Sequence, residues 1–394
     1  DDSRRNMSLW WACGSGKSLA GLLWLARGSS AEKAVIITRA PTKAQWAREA
    51  QRYTTLRPQV LNGLTPYEPT SNVVVLSWAT VQGWADYILR WARGGELAVI
   101  WDEIHKGKSW KRKERLVARD GSIHYAWLDN RAASCAKLAR GATRRLGLTA
   151  TPVRNRRSDL WAQLDLVEPG AWDSNWEFIH RYCDARPGQY GGIDASGISN
   201  CDELKQRLER CTHVVTKAEA SEHLPPLRRS LIYLSKADQS RPGRRRDCEA
   251  LARLVATRLK KNDTPMWWGH GGISMKERDA MVRAYAATED PCAFVGTTDA
   301  FGEAIDGLQN TDLVVFGLLP WTPGQVTQAE GRFSRHGSKR SVHIMYTVAE
   351  GTADEHVADL LLEKLDANAE GIANTLAAGE DDEQVLAGLI ALME

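Results

Sequence analysis

The sequence predicts an α/β protein of two tandem lobes, each a mostly parallel sheet with helices on both faces. Three observations predict it. Short apolar runs alternate with stretches of helical spacing, the alternation restarts after a glycine-containing interruption, and 394 residues exceed the length at which one hydrophobic core usually stops growing. Strand and helix alternation implies parallel strands, because each crossover lays a helix against the sheet.

The elements follow in order. Ser8-Leu9-Trp10-Trp11 reads as a buried strand, and after the turn at Gly16 the residues Leu19, Leu22, Leu23 and Ala26 recur at helical spacing. Apolar strands are expected at 34–38, 73–76, 97–101 and 145–149, with helices at 42–53 and 80–91 between them. After Glu168-Pro169-Gly170 the pattern loosens into an aromatic and glycine-containing stretch that includes Pro187-Gly188-Gln189-Tyr190-Gly191-Gly192, which reads as a connector. A second series gives strands at 231–234, 266–268, 293–296, 313–316 and 342–347 and helices at 247–261, 275–286 and 323–333. The tail is alanine-rich and acidic, and Val385, Leu386, Leu389, Ile390 and Leu392 suit a short amphipathic helix. These boundaries divide the chain into a first lobe at 1–170, a connector at 171–226, a second lobe at 227–365 and a tail at 366–394.

Composition narrows the class. Apolar residues at 43% and charged residues at 26% describe an ordinary soluble protein, and a net charge of +3 means that any nucleic-acid surface must be a local patch. Seven cysteines without a CxxC pair indicate neither a zinc ribbon nor a disulfide framework. Reduced thiols, no signal peptide and no apolar run near the ~18 residues that span a bilayer predict a cytoplasmic protein without a membrane partner. The excess of arginine over lysine and the 16 tryptophans fit a GC-rich bacterial or phage gene, and in a eukaryote the corresponding compartment would be the nucleus.

Three motifs carry chemistry. Gly14-Ser15-Gly16-Lys17-Ser18 lies between a strand and a helix, the context of a phosphate loop. Its glycines permit backbone N–H groups to turn inward on phosphate oxygens, Lys17 would reach the β and γ phosphates, and Ser18 would ligate Mg²⁺. Trp11 stands where the motif's first glycine is usual, and the pentapeptide also fits an ordinary glycine turn. Asp102-Glu103-Ile104-His105 closes the apolar run 97–101, and carboxyl ends of strands are where open α/β sheets place ligands. There Asp102 would hold Mg²⁺ while Glu103 polarises the attacking water, unless both are merely solvated carboxylates leaving a strand. Gln328, Arg332 and Arg335 share one face of a helix, from which guanidinium groups could stabilise charge developing on a γ phosphate, or simply form a solvated basic face. Together and in this order the three motifs read as an ATP-driven motor, using ATP and Mg²⁺ in a cleft between two lobes.

With these motifs in place the chain resembles the SWI/SNF-like ATPases of helicase superfamily 2, the double-stranded DNA translocases, in a short annealing-helicase-like or phage-type form. Residues 14–18 resemble motif I, and 36–49, with Pro41 and Trp46-Ala47-Arg48-Glu49, motif Ia. Asp102 to His105 with Lys108 is similar to motif II, and Leu148-Thr149-Ala150-Thr151-Pro152 with Asn155 and Leu160-Trp161 to motif III. Residues 269–278 resemble motif IV, 297–308, opening on Thr297, motif V, and Trp321 with Gln328, Arg332 and Arg335 motif VI. The resemblance implies two RecA-like lobes, a coupling role for His105, Thr149 and Thr151, and a duplex DNA track contacted by Lys108, Arg154, Arg156 and Thr297. It also implies a monomeric motor targeted by a protein partner.

Departures are Phe301, Glu303 and Asp306-Gly307 in place of a glycine-rich motif V run, and no glutamine motif for adenine is visible before Lys17. Further basic candidates for DNA are Lys106, Lys111, Arg112, Lys113, Arg157 and Arg244 to Arg246, while Trp46, Trp267 and Trp268 fit either base stacking or the core. Two other functions fit the same motifs: a strand-separating DNA or RNA helicase, and an ATP-gated DNA-binding subunit of a larger complex.

Overall fold

The computed structural model describes residues 6–28, 32–107, 113–117, 123–127, 131–153, 157–188, 192–215, 225–234, 264–301, 307–317, 329–334 and 338–349, with positions 219, 326, 355 and 358. The chain forms two compact units, one carrying Gly16–Thr216 and the other Lys217–Gly371.

In the first unit β1 (Asn6–Trp11), β2 (Lys33–Thr38), β3 (Gln59–Val60), β4 (Val73–Ser77) and β5 (Leu97–Asp102) are joined by α1 (Lys17–Ala26), α2 (Lys43–Tyr53) and α3 (Val81–Trp91). An antiparallel hairpin, β6 (Lys113–Val117) and β7 (Ile123–Trp127), precedes α4 (Arg131–Gly141) and β8 (Arg144–Thr149). The main sheet has seven strands, and with β11 (Thr212–Val215) at one edge its order is β11-β1-β8-β5-β2-β4-β3, every pairing parallel.

Neighbouring residues of each central strand enter opposite cores. Val35, Ile37, Val99 and Trp101 meet α3 and α4 through Trp84, Ile88, Cys135 and Leu138. Ala34, Ile36, Ala98 and Ile100 meet α1 and α2 through Leu22, Leu25, Trp46 and Ala50. Burial on both faces is why these strands read as unbroken apolar runs.

Residues 175–215, expected to belong to a connector, fold with the first unit instead. They form α6 (Asn175–Tyr182), a short hairpin of β9 (Arg186–Pro187) and β10 (Ile193–Asp194), α7 (Cys201–Cys211) and β11. With α5 (Asp159–Val167) they bury Trp172, Phe178, Tyr182, Leu204 and Leu208 around Trp10 of β1. Two helices of eight and eleven residues carry too few apolar positions for periodicity to stand out. A local signal did exist: Ser174 accepts a hydrogen bond from the Glu177 N–H, and the Glu177 side chain accepts one from the Ser174 N–H, a capping box.

The second unit contains β12 (Leu227–Leu234), β13 (Met266–Gly269), α8 (Met275–Ala286), β14 (Ala293–Gly296), a turn of helix α9 (Thr298–Phe301), β15 (Leu313–Phe316) and β16 (Val342–Ala349). Its pairings β12-β16-β15 and β13-β14 are parallel, in line with the α/β reading. The helix expected at 247–261 and the amphipathic tail lie outside the described residues. Among the described residues no helix is long and apolar enough to cross a membrane.

Helix α1 lies close to the sheet at Gly21, where a Cβ would meet Ile100 at 3.2 Å, Trp46 at 3.3 Å and Leu148 at 3.4 Å. Gly21→Leu should therefore destabilise the fold by about 1–3 kcal/mol despite leucine's better helix propensity. Urea unfolding followed by circular dichroism checks this, through a midpoint moved to lower denaturant.

Candidate nucleotide-binding site

The phosphate-loop candidate joins β1 to α1. Gly14 (φ 80°) and Gly16 (φ 85°) adopt the left-handed conformation that glycine takes without steric cost. A Cβ on Gly16 would meet nothing within 4 Å, so the dihedral angle, not space, requires glycine there. Trp11, in place of the usual first glycine, is still a strand residue and needs no positive φ. Its indole N–H donates to His213 Nδ1 at 2.9 Å, and the Ala12 N–H donates to the Val215 carbonyl at 2.9 Å, which ties the start of the loop to β11. The Lys17 ammonium donates to the carbonyls of Trp11 (2.8 Å) and Ala12 (2.9 Å) and so lies folded over the loop.

The acidic pair sits at the end of β5. Pairing of Ile37 with Trp101 in the β2–β5 ladder sets Thr38 beside Asp102. Asp102 Oδ2 accepts hydrogen bonds from Thr38 Oγ1 at 2.5 Å and Trp46 Nε1 at 3.0 Å, and its main-chain carbonyl accepts one from Trp78 Nε1 at 2.8 Å. Burial, followed by the neighbouring Glu103 charge, raises the proton affinity of Asp102, while the bonds from Thr38 and Trp46 and the Lys17 charge oppose that rise.

Glu103 holds a left-handed backbone (φ 53°), a strained conformation for a non-glycine residue that costs about 1–3 kcal/mol. Its Oε2 is buried and has no hydrogen-bond partner, although His105 Nδ1 lies 3.3 Å away. His105 Nδ1 is 3.0 Å from Thr149 Oγ1, which also accepts the Thr151 N–H at 3.0 Å. His105, Thr149 and Thr151, grouped in the sequence reading, thus form one continuous contact at the ends of β5 and β8.

Residues missed from sequence are Thr38 and Trp78, which hold Asp102 in place. Thr38 had a signal, being the polar end of an apolar strand, whereas Trp78 had none. Trp46 is only 2% exposed, so its ring belongs to the core and does not stack on bases. Trp267 packs edge-on against Tyr285. Arg157 is a correction to the DNA candidates, because it is 3% exposed and donates to the Tyr182 carbonyl at 3.3 Å, where it ties α6 to the end of β8's loop. Lys108, Arg154, Arg156, Gln328 and Arg335 lie outside the described residues.

In the second unit, Thr297 follows β14 and its carbonyl accepts the Phe301 N–H at 3.0 Å. Phe301, a departure from motif V, is buried over Gly269 and Gly296, where a Cβ would come within 2.7 and 2.6 Å of its ring. Arg332 is half-buried, and its N–H donates to the Ala329 carbonyl at 3.0 Å. The neighbouring Glu330 is fully buried and accepts from Arg229 Nε (2.5 Å), Arg229 Nη2 (2.7 Å) and the Tyr346 hydroxyl (2.8 Å). Burial and the Glu330 charge push the Tyr346 phenol up.

The first unit's residues fit a magnesium-bound nucleotide. Left-handed glycines on the loop beside Lys17, a buried unpartnered oxygen on Glu103 and another on Thr151 leave polar capacity that a triphosphate, ion and water would use. Ser18 and Asp102 would hold the ion.

Residues 232–337 match the helicase conserved C-terminal domain. Over 285 residues the chain is 28% identical to the SWI/SNF-related matrix-associated actin-dependent regulator of chromatin subfamily A-like protein 1 of Xenopus tropicalis, covering 58% of the chain and 30% of the relative. The Caenorhabditis elegans homologue of that protein is 23% identical over 415 residues, 90% of the chain and 57% of the relative. The chain is thus similar to SWI/SNF-related proteins and carries a helicase C-terminal domain match. A further relative, the DNA annealing helicase and endonuclease ZRANB3 of Mus musculus, is 26% identical over 338 residues, 68% of the chain and 31% of the relative. The chain spans less than two thirds of the length of these curated relatives. The helicase domain match gives the second unit the RecA-like architecture expected from sequence, in tandem along the chain with the first unit's parallel sheet.

Because the proton affinity of Asp102 is raised, acidification should protonate it at a higher pH than an ordinary carboxylate and weaken magnesium-dependent nucleotide binding. Titration of a fluorescent ATP across the mildly acidic range checks this, and Asp102→Asn should flatten the dependence.

Proposed function

We propose that this chain is an ATP-dependent translocase on double-stranded DNA. The observation that carries the reading is the acidic pair at the carboxyl end of β5: Asp102 Oδ2 is held by Thr38 and Trp46, and Glu103 beside it keeps a buried oxygen unpartnered. Lys17 binds and orients the triphosphate, and the loop N–H groups hold its oxygens. Glu103 accepts a proton from the attacking water. Magnesium, when bound through Ser18 and Asp102, neutralises charge on the transferring phosphoryl group.

Gln328, Arg332 and Arg335 of the second unit serve the same reaction, the arginines stabilising developing negative charge. His105, Thr149 and Thr151 link the state of the nucleotide to the DNA-contacting loops. Lys108, Arg154, Arg156 and Thr297 contact the duplex, the basic residues through its phosphates without reading sequence. The names of two relatives, a regulator of chromatin and a DNA annealing helicase, support DNA as the partner. The motor works as a monomer, and a protein partner supplies targeting.

Lys17→Ala should weaken nucleotide binding roughly 10- to 100-fold, the loss expected of charge-assisted hydrogen bonds. Glu103→Gln should leave nucleotide affinity intact and reduce turnover by roughly 10² to 10⁴, and Arg335→Ala should slow hydrolysis by about 10³ or more. Equilibrium binding of fluorescent ATP and steady-state phosphate release separate these effects. Wild-type turnover in Glu103→Gln removes that residue from the reaction.

The function itself is tested by phosphate release with duplex DNA, single-stranded DNA and RNA at several salt concentrations. Stimulation by duplex DNA that falls steeply with salt is expected, and indifference to all three defeats the reading. Displacement of a triplex-forming strand without unwinding of a tailed duplex distinguishes translocation from strand separation.

A further inference from the structure

We infer that two buried tryptophans position the acidic pair, Trp46 fixing the carboxylate of Asp102 and Trp78 fixing the peptide that aims Glu103. The inference rests on the nucleotide reading above and assigns two positioning residues to it. Both indole N–H groups reach the same residue from different elements: Trp46 lies in α2 and donates to Asp102 Oδ2 at 3.0 Å, and Trp78 follows β4 and donates to the Asp102 carbonyl at 2.8 Å.

Burial alone does not force this pairing. Trp101, also fully buried and stacked on Trp78 with ring centroids 5.8 Å apart, keeps an unpartnered indole N–H in the same core. A phenylalanine would satisfy the packing at 46 or 78, since apolar burial needs no N–H. The N–H groups therefore act on Asp102.

The two bonds have separate consequences. A carboxylate oxygen offers about two lone-pair directions, and Thr38 and Trp46 occupy both on Oδ2. The carboxylate is thereby held in one rotation, with Oδ1 as the oxygen left for a cation. Trp78 instead holds the Asp102–Glu103 peptide, and the Lys106 N–H holds the Glu103 carbonyl at 2.9 Å. Glu103, between these two anchors, has the left-handed φ of 53°. Loss of the first bond frees a metal ligand, and loss of the second frees the backbone that directs the proton acceptor.

The test uses the full chain and an N-methylanthraniloyl-labelled ATP, titrated with Mg²⁺. Trp46→Phe should raise the half-saturating Mg²⁺ concentration by about 10- to 100-fold, the range for partners of a metal ligand, with magnesium-free nucleotide affinity unchanged. Thr38→Val, which removes the other donor to Oδ2 at similar volume, should shift the curve the same way, and Thr38→Ser should restore it. Trp78→Phe should leave the Mg²⁺ curve in place and lower kcat about 10-fold with KM unchanged.

Trp84→Phe is the packing control: its buried indole donates to the Gly63 carbonyl at 2.9 Å, away from Asp102, and it should move neither quantity. A wild-type Mg²⁺ curve in both Trp46→Phe and Thr38→Val, or an equal shift in Trp84→Phe, overturns the inference while the nucleotide reading stands. A wild-type chain that binds no labelled ATP defeats the nucleotide reading itself, and the positioning role falls with it.

Discussion

A carboxylate withdrawn from water must be met by donors or by a cation, and Asp102 is the group on which this constraint bears most heavily. It closes a strand buried on both faces, its charge is opposed by burial and by Glu103, and two side chains compensate at the carboxylate, Thr38 at the end of β2 and Trp46 in α2, while Trp78 after β4 satisfies its main-chain carbonyl. The same contacts that make the site also tie the sheet to its helices. Structure and chemistry share one set of hydrogen bonds, which is why residues that look like core serve the site.

The double burial of the sheet explains where polar chemistry can occur. Val35, Ile37, Val99 and Trp101 fill one core and Ala34, Ile36, Ala98 and Ile100 the other, so the middle of the sheet has no room for ionised groups. Lys17, Thr38, Asp102, His105 and Thr149 all lie at or just beyond the carboxyl ends of parallel strands, where the chain leaves the core. Parallel pairing brings those ends to one edge, and residues up to 139 apart in sequence become neighbours through the register of β1, β2, β5 and β8. The second unit follows the same economy in a different way. Glu330 is buried without becoming a cost because Arg229 and Tyr346 satisfy it, and this bidentate pair fixes the segment that continues into Arg332.

Much of this was legible in the residues. The central strands of the first unit, α2, α3 and α8 fall within a residue or two of their expected limits, because each presents an unbroken apolar run or a clear helical period. The glycine turn between β1 and α1, the acidic tetrapeptide at the end of β5 and the Thr149–Thr151 turn stand where motif spacing put them, because each depends on a few residue types at fixed spacing. The small α6–α7 module was not legible, since its helices are short and its aromatic residues pack largely against α5 and β1, elements distant in sequence from α7. Arg157 shows the same limit, as a cation in a basic run that is drawn inside by the Tyr182 carbonyl.

The sequence by itself determined the order of strands and helices, the resemblance to SWI/SNF-like proteins and the residue types available for chemistry, because periodicity and motif spacing are written along the chain. Only the tertiary structure decided which oxygens of Asp102 are occupied, that Trp46 and Trp78 hold it, that Glu103 takes a left-handed turn, and that β11 extends the first sheet while α6 and α7 pack against it. These depend on strand register and on side chains meeting across several elements. Linear order carries no measure of that proximity.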